Sequence, residues 1–143
     1  MFPSPLVSTD WLHANLGRPD LRVLDCSVVM RIAADGGYSF VAGRDEYAEG
    51  HVPGSVFADV LGELAAKDTA LPMMMPAPEA FAATMEGYGV GAGTAVVLYD
   101  RSNHAWAARV WWMLRACSFE AGRNGTPNAG RFQRRRAAMR AAR

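Results

Sequence analysis

The stretch GTAVVLYDRSNHAWAARVWWMLRA, residues 93–116, decides the fold class. Its first half holds an unbroken apolar run from Ala95 to Tyr99, flanked by Gly93 and Asp100. Such a run, rich in β-branched residues, is the pattern of a central parallel strand covered on both faces. The second half is apolar almost all round, interrupted by Arg109 and Arg115, which is the pattern of a mostly buried helix. Ser102 or Asn103 can cap that helix. A buried strand feeding a buried helix predicts an α/β fold with a mostly parallel sheet flanked by helices.

Reading outward toward the N-terminus, PEAFAATMEGYGV (78–90) predicts a helix. Pro78 suits its first position, Glu79 its first turn, and Gly87 or Gly89 its end. Before it, Pro72, Pro76 and Pro78 keep LAAKDTALPMMMPAPEAF extended. SVFADV (55–60) reads as a strand entered from a Pro53-Gly54 turn, and RDEYAEG (44–50) as one or two helical turns closed by Gly50. LRVLDCSVV (21–29) reads as one buried strand and AADGGYS (33–39) as a loop turning at Gly36 and Gly37. Ser8 or Thr9 caps a first helix through WLHANL, which Gly17 stops. The logic of the fold calls for another strand after Arg115. From Ala121 onward the sequence holds no four-residue apolar run and no alternation. The predicted organisation is a domain over residues 6–120 and a basic, irregular tail over 121–143, with the sheet incomplete at the C-terminal side.

Charge divides the chain at the same place. Residues 1–120 carry 8 basic and 14 acidic side chains, a balance of −6, whereas residues 121–143 carry seven arginines and no acid, a balance of +7. The 143 residues suffice for one domain with its own core. Two cysteines without CxxC spacing form no disulfide framework, which predicts a reducing, cytoplasmic setting. His13, His51 and His104 are scattered without metal-ligand spacing. No run approaches the roughly 18 apolar residues of a membrane span, and MFPSPLVSTD lacks the basic and apolar regions of a signal peptide.

Four segments, LVSTDWLHANLGRPDLRVLDCS, GRDEYAEGHVPGSVFAD, LPMMMPAPEAFAATMEGYGV and TAVVLYDRSNHAWAARVWWMLRA, together resemble the N-terminal domain of a tandem rhodanese, a thiosulfate or 3-mercaptopyruvate sulfurtransferase. GHVPGS is close to that family's GHIPGA turn, and ARVWWMLRA is characteristic of its tandem members. The resemblance implies a rhodanese fold and transfer of sulfane sulfur from a small anionic donor to a thiophilic acceptor, with no cofactor. It also implies a nucleophilic cysteine, carried as a persulfide, in a loop after the strand that follows the RVWWMLRA helix. In tandem members the catalytic copy lies in a C-terminal domain, which has no counterpart here. The next strand, its loop and the closing helices of the N-terminal domain are not matched either, so the family nucleophile falls on no residue of this chain. The resemblance therefore implies a chain inactive on its own, with an uncovered sheet edge and marginal solubility.

The remaining candidates are weighed from their positions. Cys117 comes directly after the predicted helix, where the negative C-terminal end disfavours a thiolate. Cys26 ends the first predicted strand, on the side where open parallel sheets place their ligand crevice, and is the one catalytic candidate; a buried small thiol is its structural reading. Asp100 and Arg101 end the central strand on that same side, and Arg44 precedes the HVPG turn. All three are candidate substrate-binding residues for an anionic donor. The structural alternative is that Arg44 pairs with an acid and Asp100 caps the following helix. His51 reads as a turn residue, Met73–Met75 as a packing plug, and Arg109 and Arg115 as stems on the core reaching carboxylates. The tail reads as the product of a shifted reading frame in GC-rich DNA. The alternative is a non-catalytic interaction module whose arginines dock an acidic partner or RNA, although Phe132 alone makes no stacking platform for nucleic acid.

Overall fold

The computed structural model describes residues 6–121 and 131–132. The elements in chain order are α1 (Thr9–Asn15), β1 (Leu21–Asp25), β2 (Val28–Ile32), β3 (Tyr38–Ala42), α2 (Arg44–Glu49), β4 (Val56–Phe57), α3 (Pro78–Gly87), β5 (Ala95–Tyr99), α4 (Ala105–Ala121) and β6 (Arg131–Phe132). Four strands form one parallel sheet in the order β4-β1-β5-β6, and β2 and β3 form a separate antiparallel hairpin.

The sheet is buried on both faces, as the unbroken apolar run of β5 requires. Leu24, Val96 and Leu98 point to the side filled by Phe81 and Met85 of α3 and by Ala107, Val110, Met113 and Leu114 of α4. Leu21, Val23, Val97 and Tyr99 point to the other side and pack with Leu12, Trp11 and Leu16 of and beside α1, and with Val52. The side chains alternate because the strand period is two, so each strand feeds two separate apolar layers.

Local chemistry fixes the ends. Ser8 Oγ accepts from the Trp11 backbone N–H and starts α1. Pro78 sits at the start of α3, where its missing N–H leaves nothing unpaired. The chain leaves α3 through Gly89, whose φ of +78° is a left-handed value that glycine adopts without strain.

The structure departs from the sequence reading at several places. LRVLDCSVV is two strands: Asp25 Oδ1 accepts from the Ser27 backbone N–H at 2.9 Å, and this turn swings the chain out of the sheet after Cys26. AADGGYS is a hairpin turn, closed by Ala33 N–H to the Gly37 carbonyl at 2.7 Å, and it leads into β3, an unforeseen strand. SVFADV pairs only at Val56 and Phe57. The helix over 105–121 runs past Cys117, which lies inside α4 and not beyond it. The absence of a strand after residue 121 is also corrected: Arg131–Phe132 pairs in parallel with Val97 and Leu98, so part of the β5 edge is covered. The remainder of the arginine-rich tail lies outside the described residues.

Candidate functional site at the carboxyl edge of the sheet

The strands β1, β4 and β5 end side by side, and the loops that leave them assemble the polar part of the molecule. Asp25, Ser27 and Asp100 are buried polar residues at this edge, and Ser55, also buried, stands at the entry to β4. Cys26 bridges them in the backbone, its N–H donating to the Tyr99 carbonyl at 2.8 Å.

Cys26 is fully buried, with Sγ 3.9 Å from the Leu24 carbonyl oxygen. Burial pushes its thiol well above the ordinary value, and the carboxylates of Asp25 and Asp100 push it in the same direction. A thiol so placed stays protonated and out of reach of a small anion. Cys117 is partly buried on α4 and packs against the core on the α3 side of the sheet.

Asp100 accepts four hydrogen bonds. Oδ1 receives the backbone N–H of Ser102 at 2.9 Å and of His104 at 3.0 Å, and also the Ser102 hydroxyl at 3.3 Å. Oδ2 receives the Ala107 N–H at 3.0 Å. Its carboxylate thus occupies the positive end of α4 and satisfies donors the helix leaves open. Asn103 Oδ1 adds a bond from the Ala105 N–H. His104 precedes the helix with a φ of +68°, a conformation held in place by these bonds.

Arg101 joins three segments. Its backbone N–H donates to Ser27 Oγ at 3.2 Å, and its guanidinium donates to the Gly50 carbonyl at the end of α2. The side chain remains exposed. Arg44 pairs with Asp59 at 3.0 Å, lies 3.9 Å from Glu63, and covers the Phe57 ring at 4.9 Å from its centroid. The same patch holds Tyr88, whose hydroxyl donates to Glu63 and accepts from the Asp59 N–H. Desolvation, then the bond to Glu63, raise that phenol above its ordinary range.

Tyr99 and Asp25 were missed from sequence, where Tyr99 passes as one more apolar residue of its strand. The Tyr99 hydroxyl accepts from the Val52 N–H at 3.1 Å and lies 3.2 Å from Ser55 Oγ. It therefore holds the HVPG turn against the end of β5. Burial and the nearby Asp25 charge keep the phenol protonated far above its ordinary value. Asp25 Oδ1 is used by Ser27, and Oδ2 has no partner in hydrogen-bond geometry among the described residues. Beneath the turn, Tyr47 donates to the Ser55 carbonyl at 2.6 Å and stacks on His51 at 4.0 Å between centroids. His51 Nδ1–H donates to the Tyr47 carbonyl, which ties this exposed histidine to the turn.

The other sequence candidates have these partners. Arg109 donates to the Met73 carbonyl, a backbone oxygen where a carboxylate was expected, and Arg115 lies over the Trp111 ring at 5.0 Å. Met75 packs on the core, whereas Met74 is exposed. Among the described residues, no three His, Cys, Asp or Glu side chains converge as a metal site would require, and no helix is long and apolar enough to cross a membrane.

The carboxyl edge is thus an internally bonded platform with a sealed thiol, and it carries the exposed guanidinium of Arg101. Comparison with known proteins places this platform in context. A family model described as a rhodanese-like domain matches residues 8–130. The chain is 41% identical over 116 residues to thiosulfate/3-mercaptopyruvate sulfurtransferase 1, mitochondrial, of Arabidopsis thaliana, a match covering 81% of this chain and 29% of that protein. It is 36% identical over 114 residues to 3-mercaptopyruvate sulfurtransferase of Escherichia coli, covering 80% and 38%. The crystal structure of a 3-mercaptopyruvate sulfotransferase from Escherichia coli superposes with a TM-score of 0.70 at 29% identity, over 91% of this chain and 44% of that one. The chain spans well under half the length of the curated relatives it matches.

Proposed function

The chain belongs to the rhodanese-like domain family, and from that premise we propose that it is the N-terminal domain of a sulfurtransferase that moves sulfane sulfur from thiosulfate or 3-mercaptopyruvate to a thiophilic acceptor. In that reading the domain is the scaffold of the reaction, and the nucleophilic thiol is supplied by a C-terminal domain. The carrying observation is Cys26. It directly follows β1 at the carboxyl edge of the sheet, yet it is fully buried and its thiol is held protonated by desolvation and two carboxylates.

Arg101 is the residue we assign to the donor anion. It is exposed at the end of β5, and one bond to the Gly50 carbonyl leaves other guanidinium donors available. Arg44 and Asp100 support the site less directly. The positive charge of Arg44 is balanced by Asp59 and Glu63, and Asp100 holds the loop that carries Arg101. The proposed setting is cytoplasmic, where thiols are kept reduced.

In the transfer itself, a thiolate attacks the sulfane sulfur of thiosulfate, a sulfur–sulfur bond forms on the protein, and sulfite leaves. Cyanide then takes the outer sulfur as thiocyanate and restores the thiolate. The test is thiocyanate release by the 143-residue chain supplied with thiosulfate and cyanide, alongside intact mass after thiosulfate alone. The expected result is no turnover and no sulfur adduct. Turnover abolished by Cys26→Ser or by Cys117→Ser would overturn the scaffold reading.

A further inference from the structure

The methionine run Met73–Met75 has no part in sulfur transfer, and its surroundings give it another. Residues 66–76 cross the surface between β4 and α3 without helix or strand. Residues 67–72 are all exposed. The Ala66 N–H donates to the Met74 carbonyl at 2.8 Å, so the segment closes on itself as a strap. It is tied to the body where Arg109 of α4 donates to the Met73 carbonyl, and where the Met75 side chain packs against the core on the α3 side of the sheet.

The three methionines differ in their surroundings. Met74 is 45% exposed, whereas Met73 and Met75 are partly buried. Met73 and Asp68 both hold a left-handed φ of +57°, which residues with a Cβ adopt only when their surroundings impose it. The strap is therefore strained backbone, and one of its fastenings is a thioether. A thioether is apolar and adaptable, and it fills an irregular core gap well. Its sulfoxide is polar, and against an apolar core the new oxygen has no donor.

We propose that Met75 is an oxidation-sensitive fastening, through which a peroxide opens this strap. The Met75 sulfur attacks one peroxide oxygen, the O–O bond breaks, a sulfur–oxygen bond forms and water leaves. The sulfur gives up two electrons and the peroxide takes them. The sulfoxide then leaves the core, the backbone at Met73 and Asp68 relaxes, and the strap opens while the sheet stays folded. Met74, outward on the same strap, reacts first and consumes oxidant ahead of its neighbour. Met85 and Met113, 4% and 0% exposed, stay reduced. A methionine sulfoxide reductase reverses the change.

The sequence supplies a specific readout. Lys67, inside the strap, is the chain's one lysine, so a lysine-specific protease cuts the native protein there or nowhere. Its rate reports how often the strap opens. The 143-residue chain is treated with graded hydrogen peroxide, and sulfoxides are located by peptide mass. Oxygen is expected at Met74 and at Met30, which is 54% exposed, and then at Met75. Cleavage at Lys67 rises about tenfold in step with the Met75 adduct and falls again after the reductase. Met75→Leu, a volume-conserving change, stays resistant under the same peroxide. It keeps both cysteines, so thiol oxidation is separated from the effect. Arg109→Ala, which loosens the other fastening, speeds oxidation of Met75 relative to Met30 and tests the strap without altering a methionine. The proposal is overturned by Met75 oxidation that leaves the cleavage rate unchanged, or by Met75 still reduced when Met30 and Met74 are fully oxidised. It is equally overturned if Met75→Leu loses its resistance as the unaltered chain does, or if Arg109→Ala leaves Met75 as slow to react.

Discussion

Replacing Asp100 by alanine tests the most heavily bonded side chain of the carboxyl edge. Asp100 is only 7% exposed, and its carboxylate serves three backbone N–H groups at 2.9–3.0 Å, together with one hydroxyl. Removing an ordinary N-cap costs about 0.5–2 kcal/mol. Here the loss is larger, because the acceptor is charged and Ala107, which has no exposed surface, cannot turn to water. Ser102 is exposed and can, so its share is discounted. The expected loss for Asp100→Ala is about 2–4 kcal/mol, a fall in Tm of roughly 10 °C for a domain of this size. Asp100→Asn keeps one acceptor oxygen for the Oδ1 bonds but turns an amide donor toward the Ala107 N–H, so it should lose about half as much. Urea denaturation at pH 7 followed by tryptophan fluorescence measures both, and Trp106, Trp111 and Trp112 report on α4 directly. A loss under about 1 kcal/mol for the alanine variant, below the usual range for a buried charged acceptor, would refute the reasoning. It would mean that Asn103, through its bond from the Ala105 N–H, carries the cap alone.

Alkali should weaken the fold. Cys26, Tyr88 and Tyr99 all have folded values raised above their unfolded ones, so the folded state holds protons that the unfolded state gives up. Stability is complete below about pH 9 and declines as pH climbs through the thiol's ordinary value of 9.0 and then the phenols' 10.0. In Cys26→Ala the first part of that decline flattens, which a series of melts from pH 7 to 10.5 would detect; an unchanged slope between pH 9 and 10 would count against a sealed, protonated thiol. Gly43→Ala should disturb the hairpin base. A Cβ there would sit 2.9 Å from the Ser27 carbonyl oxygen and 3.0 Å from Ser27 Cβ, at a cost of about 1–3 kcal/mol and with faster hydrogen exchange over residues 27–43. Gly87→Ala, which meets nothing within 4 Å, is the matched control and should be neutral or slightly stabilising.

The sheet and its helices were legible because their signals are strong and local. The apolar run of β5 reports burial on both faces, and Pro78 and Ser8 mark where α3 and α1 begin. The hairpin was hidden for a physical reason. Its first strand, VVMRI, runs on from the apolar stretch of β1, and Asp35, Gly36 and Gly37 between the strands read as a loop, so no local signal marks YSFVA as its partner. What separates β1 from β2 is a side-chain bond from Asp25 to the backbone at Ser27, which no periodicity reveals. Cys26 and Asp100 were legible as positions at the carboxyl end of the sheet, because the end of a parallel strand fixes where they lie. Their state was not legible, since it depends on contacts with distant residues. Tyr99 shows the same limit. Its hydroxyl matters because Val52 and Ser55 arrive beside it from 44 to 47 positions away.

The strand order has a consequence for how the chain reaches this state. The two central strands, β1 and β5, are neighbours in space, with Leu21 opposite Ala95, although most of the described chain lies between them. Their pairing closes a long loop before any reward arrives, and folding rates fall as such distant contacts dominate. The β2–β3 ribbon closes over a few residues and can form within microseconds. During synthesis, the hairpin can therefore form and reopen many times before β5 leaves the ribosome. The slow step is the arrival of residues 95–99 in the slot beside β1. Substitutions inside β5 should slow refolding, and those confined to the hairpin should mainly speed unfolding.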